Sequence, residues 1–313
     1  MNASHDTILF CSSFDSAHKW QSVLSQELPD ISFRVYPDGG NPEDVTVALV
    51  WKPPENFFAA FPNLQLIVNL GSGVDMLLNR PDLPNVPVMR IVDPGMISLM
   101  QSYVLFAVIR YARNIDCFET AQQQAQWHYI HPRPLSDVKV GILGLGGLGG
   151  SAARSLASLG FDVRGWSRTP KEITGITCTY GFAALDVLLE ECEIVALMLP
   201  LTTETRHIIN ADRLHKMRRG TKLINVGRGE LIEEQALIAC LEEAHLGGVT
   251  LDVFSVEPLP KDSALWHLPN VLITPHLASI TVPEEAARDV AVSVRRVREG
   301  LPPLNVVDFA KGY

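Results

Sequence analysis

The chain has 313 residues, of which 47% are hydrophobic and 19% charged, which excludes a disordered polypeptide and supplies more apolar side chains than one ordinary core holds. A formal net charge of −9 argues against a nucleic-acid surface and against an anionic membrane surface, since both call for basic patches. The five cysteines (Cys11, Cys117, Cys178, Cys192 and Cys240) have no CxxC spacing, so neither a metal site nor a redox dithiol is expected, and their odd, scattered set suits a reducing cytoplasm.

The first residues, MNASHDTILF, lack a basic start and a long apolar stretch, so no signal peptide is expected. Short apolar runs then predict strands over 7–11, 46–51, 64–69 and 86–91. The turn residues Asp93-Pro94-Gly95 close this series. They lead into an apolar helix over 97–109, read as buried and too short to span a bilayer. A second series of strands is predicted over 138–143, 162–166, 194–199, 222–226, 248–253 and 271–274, with helices over stretches such as 148–159 and 233–244. Continuous Val/Ile/Leu runs with intervening helices predict parallel strands covered on both faces. Beyond Pro283 a helix over 284–299 carries the chain back towards its first part. The fold class is therefore α/β, with two doubly wound parallel-sheet domains. One is discontinuous, 1–95 with 287–313, and the other runs over 96–286.

The strand at 138–143 is followed by Gly144-Leu145-Gly146-Gly147-Leu148-Gly149 and then by a helical pattern. GxGxxG between a strand and a helix is the dinucleotide-binding context. Gly144 permits a tight turn, Gly146 lets backbone approach a pyrophosphate, and Gly149 lets helix and strand pack closely. Helix N-terminal amides then meet phosphate charge. The strand at 162–166 decides between the two nicotinamide cofactors. An NAD site usually ends it with an acid, but here it runs Trp166-Ser167-Arg168-Thr169. A guanidinium and two hydroxyls suit a 2′-phosphate, which predicts NADPH over NADH. The domain over 96–286 is thus a Rossmann-like cofactor domain, and 1–95 with 287–313 a flavodoxin-like substrate domain.

Three ionisable residues follow apolar runs: Arg228 after KLINV, Glu257 after VTLDVF and His276 after VLITP. Ligands of open parallel sheets bind beyond the carboxyl ends of the strands. Arg228 can grip a carboxylate with a planar fork of donors. His276 can deliver or accept a proton, and Glu257 can orient its ring and favour the protonated form. Gly71-Ser72-Gly73 follows a strand, and two glycines one apart let backbone amides form an anion-binding concavity. Trp51 also ends a strand, where its ring would narrow a pocket. Trp127 and Trp266 are read as core residues, with a reach into the site through a mobile or partner segment as the alternative. His128 and His131 lack a third ligand at metal spacing, and Arg295, Arg296 and Arg298 are read as a solvated helix end.

These segments together resemble the D-isomer-specific 2-hydroxyacid dehydrogenases. The resemblance rests on the turn at 144–149, Leu199-Pro200-Leu201-Thr202, Ile224-Asn225-Val226-Gly227-Arg228-Gly229, Leu251-Asp252-Val253-Phe254 with Glu257-Pro258-Leu259-Pro260, and Thr274-Pro275-His276. Val50-Trp51-Lys52-Pro53-Pro54, Leu70 to Asp75, Trp166-Ser167-Arg168 and the closing Gly312-Tyr313 look most like the branch that reduces glyoxylate and hydroxypyruvate. The resemblance implies catalysis by Arg228, Glu257 and His276. It implies cofactor contacts at Gly144, Gly146, Gly147, Leu148, Gly149, Ser167, Arg168, Thr169, Pro200, Thr205, Val226, Gly227 and Asp252, the last near the nicotinamide. Substrate contacts fall to Trp51, Gly71, Ser72, Gly73, Arg228 and His276. It also implies a homodimer built through the cofactor domain. One departure stands out: many relatives have Ala-Glu-His in the long helix where this chain has Gln101-Ser102-Tyr103. Two alternatives stay open: a reductase of pyruvate-like or bulkier keto acids, and a non-catalytic dinucleotide sensor.

Overall fold

A computed structural model describes residues 6–78 and 80–312, which leaves Tyr313 outside the described residues. The chain divides into two compact units, Met1–Met96 with Ile280–Tyr313, and Ile97–Ser279.

The first unit holds β1 (Thr7–Cys11), α1 (Ala17–Glu27), β2 (Ser32–Val35), β3 (Val45–Val50), β4 (Leu66–Asn69), α2 (Asp75–Leu78) and β5 (Val88–Arg90). These strands form one parallel sheet in the order β2-β1-β3-β4-β5. Every residue of β1, β3 and β4 is buried, because helices or loops cover both faces and apolar side chains are needed on each. At the edge, β2 (SFRV) is half exposed and reads as polar, which is why no strand was predicted there.

Helix α3 (Pro94–Ala112) links the two units. Asp93 Oδ1 accepts the Met96 amide at 2.8 Å, so Pro94 opens the helix as its first residue and is no turn. At 19 residues, α3 is longer than the sequence predicts and meets the length and composition of a bilayer-crossing helix. The expectation of a short, buried helix is therefore corrected. Val104, Ala107 and Val108 are fully buried in the core, while Leu99, Phe106 and Ile109 form an exposed stripe.

The second unit continues with α4 (Ile115–Gln123), β6 (Lys139–Leu143), α5 (Gly147–Ser158), β7 (Asp162–Ser167), β8 (Thr177–Tyr180), α6 (Phe182–Glu191), β9 (Ile194–Leu197), α7 (Ala211–Lys216), β10 (Lys222–Asn225), α8 (Glu234–Glu242), β11 (Gly248–Leu251) and β12 (Val271–Ile273). Its parallel sheet runs β12-β11-β10-β9-β6-β7-β8. The order reverses between β6 and β9, the switch point at which doubly wound sheets bind ligands beyond their carboxyl ends. Two apolar layers, one around Val140, Ile142 and Ala196 and one around Leu185, Leu197 and Leu223, cover the sheet.

Helix α9 (Pro283–Arg298) completes the first unit. Proline at its first turn, two acids after it and arginines in its last turn follow helix-end electrostatics. Its buried face (Ala286, Ala287, Val290, Ala291 and Val294) packs on α1 and β4. The basic end is more than solvated. Arg298 binds Asp6 at 2.9 Å and Asp30 at 2.7 Å, Arg295 donates to the Glu27 carbonyl, and Arg296 donates to the Pro302 carbonyl at 2.7 Å.

Candidate active site

The glycine-rich turn joins β6 to α5, with Gly146 as the helix cap. Gly144 has φ +105°, where a side chain would be strained. A Cβ on Gly149 would lie 1.9 Å from the Gly144 carbonyl oxygen, so any larger residue would push α5 off the sheet. A Cβ on Gly146 would meet nothing within 4 Å. The turn is thus closed against the protein at Gly149 and open at Gly146, with the N-terminus of a 12-residue helix beside it, which fits a dinucleotide pyrophosphate. At the end of β7, Ser167 is buried and its hydroxyl donates to the Thr169 carbonyl at 2.8 Å. Arg168 pairs with Glu204 at 3.0 Å, an acid that sequence reading did not connect to it. Thr205 knits its own loop, donating to the Pro200 carbonyl at 2.7 Å and accepting from the Thr202 amide at 2.8 Å.

The ionisable trio comes from neighbouring strands of the same sheet. β10, β11 and β12 are adjacent, and Asn225 pairs with Leu251, and Leu251 with Ile273. Adjacent strands lie about 4.8 Å apart, so the ends of β10 and β12 are about 10 Å apart. Asn225, fully buried, fixes the backbone that carries Arg228. Its amide nitrogen donates to the Arg228 carbonyl at 2.8 Å, and its carbonyl oxygen accepts the Gly227 amide at 3.1 Å. Arg228 Nη1 donates to the Gly227 carbonyl at 2.8 Å.

His276 Nδ1 lies 3.0 and 2.9 Å from the two Glu257 carboxylate oxygens. Carboxylates accept, so Nδ1 carries the hydrogen and the ring's orientation is set. Glu257 is itself held, since its Oε1 accepts the Phe254 amide at 3.2 Å. The His276 backbone is left-handed, with φ +55°. Asp252, 1% exposed, holds that turn. Its carbonyl accepts the His276 amide at 2.8 Å, Oδ1 accepts the Leu277 amide at 2.9 Å, and Oδ2 accepts the Ala278 amide at 2.8 Å. The family resemblance puts Asp252 beside the cofactor, and the three amides that it accepts make it a cap of this turn as well.

In the first unit, a Cβ on Gly71 would lie 2.6 Å from Trp51 Cζ3, so the indole packs closely against Gly71 and would have to shift for a larger residue. The carbonyls of the following turn turn inward. Asn69 Nδ2 donates to Gly71 and Gly73 at 2.8 and 3.0 Å, and Arg90 Nη1 reaches the Ser72 carbonyl at 3.5 Å. The segment after Trp51 is clamped by Arg80, which donates to the Pro53 and Pro54 carbonyls at 2.9 and 2.7 Å and pairs with Asp82 at 2.8 Å. Those two side chains are 14% and 6% exposed, and the guanidinium's hydrogen bonds hold the Asp82 carboxyl below the usual carboxylate range. Removing one partner of such a pair typically costs about 3–5 kcal/mol.

The core role expected for the two tryptophans is overturned. Trp127 is 100% exposed, on an extended segment without regular structure. Trp266 is 47% exposed, with its indole donating to the Pro260 carbonyl at 2.8 Å. Segments without regular structure, such as 126–134 with Pro132 and Pro134, expose aromatic residues that composition alone assigns to a core.

Residues 105–278 match the model of the D-isomer specific 2-hydroxyacid dehydrogenase NAD binding domain. The chain is 38% identical to glyoxylate/hydroxypyruvate reductase A of Serratia proteamaculans, over 98% of this chain and 99% of that one. A D-isomer specific 2-hydroxyacid dehydrogenase of Xanthobacter autotrophicus, solved with NADPH and MES, is 52% identical with a TM-score of 0.94, over 98% and 99% of the two chains. The NADPH-dependent glyoxylate/hydroxypyruvate reductase of Sinorhizobium meliloti, solved with NADP and sulfate, is 33% identical with a TM-score of 0.92, again over 98% and 99%. The strand order, the glycine-rich turn and these likenesses agree: the chain belongs to the D-isomer-specific 2-hydroxyacid dehydrogenase family, oxidoreductases with a dinucleotide-binding domain.

Proposed function

We propose that the protein reduces small 2-keto acids with NADPH, taking glyoxylate to glycolate and hydroxypyruvate to D-glycerate, as a cytoplasmic homodimer. The observation that carries this reading is the grip of both Glu257 oxygens on His276 Nδ1, which leaves Nε2 as the nitrogen that exchanges a proton with substrate. A nicotinamide cofactor held by the glycine-rich turn would supply the hydride. His276 supplies the proton to the carbonyl oxygen, and Glu257 keeps the ring in one orientation. Arg228 grips the substrate carboxylate and offsets charge developing on the oxygen, the preorganised stabilisation that usually dominates catalysis. The turn at Gly71, Ser72 and Gly73 is assigned the carboxylate as well. Its carbonyls are engaged within the protein, so an anion meets it through amides. Trp51, packed on Gly71, favours a short substrate chain.

The turn from Gly144 through Gly146, Gly147, Leu148 and Gly149 is assigned the pyrophosphate. Ser167, Arg168 and Thr169 would hold the ribose 2′-phosphate, and Pro200, Thr205, Val226, Gly227 and Asp252 would hold the rest of the cofactor. The dimer reading draws on the exposed stripe of α3, and the cytoplasmic one on five cysteines that are all free. Assaying a panel of 2-keto acids with NADPH and with NADH tests the whole. Turnover of glyoxylate and hydroxypyruvate is expected, and no turnover of any keto acid would favour a sensor.

Cofactor choice has its own test. The Arg168–Glu204 pair is exposed, with side chains 42% and 55% accessible, so it is worth less than about 1 kcal/mol and yields to a phosphate. A charge-assisted contact to the 2′-phosphate is worth about 1.5–3 kcal/mol. Arg168→Ala should therefore lower kcat/KM with NADPH by about 10- to 100-fold and leave the NADH value nearly unchanged. An unaltered NADPH/NADH ratio would remove Arg168 from cofactor selection.

A further inference from the structure

In the long helix this chain carries Gln101-Ser102-Tyr103, and two of those three side chains tie α3 into the second unit. Gln101 Nε2 donates to Ser151 Oγ at 2.5 Å and to Ser155 Oγ at 3.1 Å on α5. Tyr103 Oη lies 2.5 Å from Thr274 Oγ1, just past β12. Thr274 Oγ1 in turn donates to Asp252 Oδ1 at 2.6 Å. Because the single hydroxyl hydrogen of Thr274 is directed at the carboxylate, Tyr103 must be the donor to the Thr274 oxygen. The phenol holds that hydrogen at every working pH, since burial pushes it up to about 12. A donor chain therefore runs from Tyr103 through Thr274 to Asp252, and each link polarises the next.

Asp252 is the group on which the His276 turn hangs. Its carbonyl and both carboxylate oxygens accept three successive amides, those of His276, Leu277 and Ala278. A non-glycine residue at φ +55° persists only where its surroundings over-determine it. The aim of the imidazole depends on Glu257 at one end and on this turn at the other. We propose that Tyr103 is a positioning residue for the reaction, holding, through the Thr274 hydroxyl and the Asp252 carboxylate, the left-handed turn that aims His276. This role rests on the reading of His276 as the proton donor.

Tyr103→Phe keeps the ring in its apolar contacts and removes only the donor. It should lower kcat for glyoxylate reduction about five- to tenfold, with the KM values for glyoxylate and NADPH within twofold of wild type. Thr274→Val should lose at least as much. The double variant should be no worse than Thr274→Val alone, because both act along one chain. Thr274→Ser, which retains the hydroxyl, should recover most of the Thr274→Val loss. A wild-type kcat in Tyr103→Phe, a loss appearing in KM alone, or losses that multiply in the double variant would each overturn the proposal. Thr274→Ser behaving as Thr274→Val would do so as well, by showing that packing and not the hydroxyl matters. His276→Gln, assayed beside them, separates the two ideas. If it retains activity, the proton-donor reading itself fails; if it is inactive while Tyr103→Phe equals wild type, only the positioning role fails.

Discussion

Exchanging His276 for glutamine is expected to lower kcat for keto-acid reduction by about 10²- to 10⁴-fold, the usual worth of a positioned general acid. NADPH affinity, read from nicotinamide fluorescence, should change little, because the substitution leaves the glycine-rich turn at 144–149 untouched. The fold should also survive. The His276 and Glu257 side chains are 30% and 20% exposed, so water can reach the carboxylate left behind. A kcat for His276→Gln close to wild type, with the protein folded and NADPH still bound, would sink the assignment.

The second large effect is expected at Arg228. Arg228→Gln should reduce kcat/KM for glyoxylate by about 10²- to 10³-fold, the scale found when one preorganised charge-stabilising donor is removed. The loss should divide between a raised KM, from the carboxylate grip, and a lowered kcat, from the oxygen. Arg228→Lys should restore only part of it, because a point charge on a flexible stem does not reproduce a planar fork. Asn225 holds the backbone of this segment with two hydrogen bonds of its own, beside the one from the guanidinium to the Gly227 carbonyl, so thermal stability should stay close to wild type. Full activity in Arg228→Gln would transfer the substrate carboxylate to another group.

The sheets were legible because a central parallel strand must be apolar on both faces, and β1, β3, β4, β9 and β11 are buried at every residue. The edge strands β2 and β8 escaped notice for the same reason, since exposed ends free SFRV and TCTY from that requirement. Glycine spacing revealed the turn at 144–149, because its physical demand is local. The Glu257–His276 contact is legible in the sequence, but the other contacts that arrange the site are not, because they are remote in sequence. Tyr103 and Thr274 are separated by 171 positions, Arg168 and Glu204 by 36, and Arg80 and Pro53 by 27. Nothing in a single sequence marks a tyrosine of a long helix as the partner of a threonine past the last strand. The anchoring of three amides by Asp252 likewise depends on a turn shape that strand periodicity does not encode.

The return of α9 to α1 has a consequence for how the molecule is made. Arg298 clasps Asp6 and Asp30, groups 292 and 268 positions earlier, and the buried face of α9 packs on α1. On the ribosome, the middle unit is synthesised whole before the helix that completes the opening unit emerges. The opening sheet must therefore wait, with the α1 surface bare, for α9. A nascent chain arrested before residue 283 would hold the whole middle unit while α1 and β4 still lacked the helix that covers them.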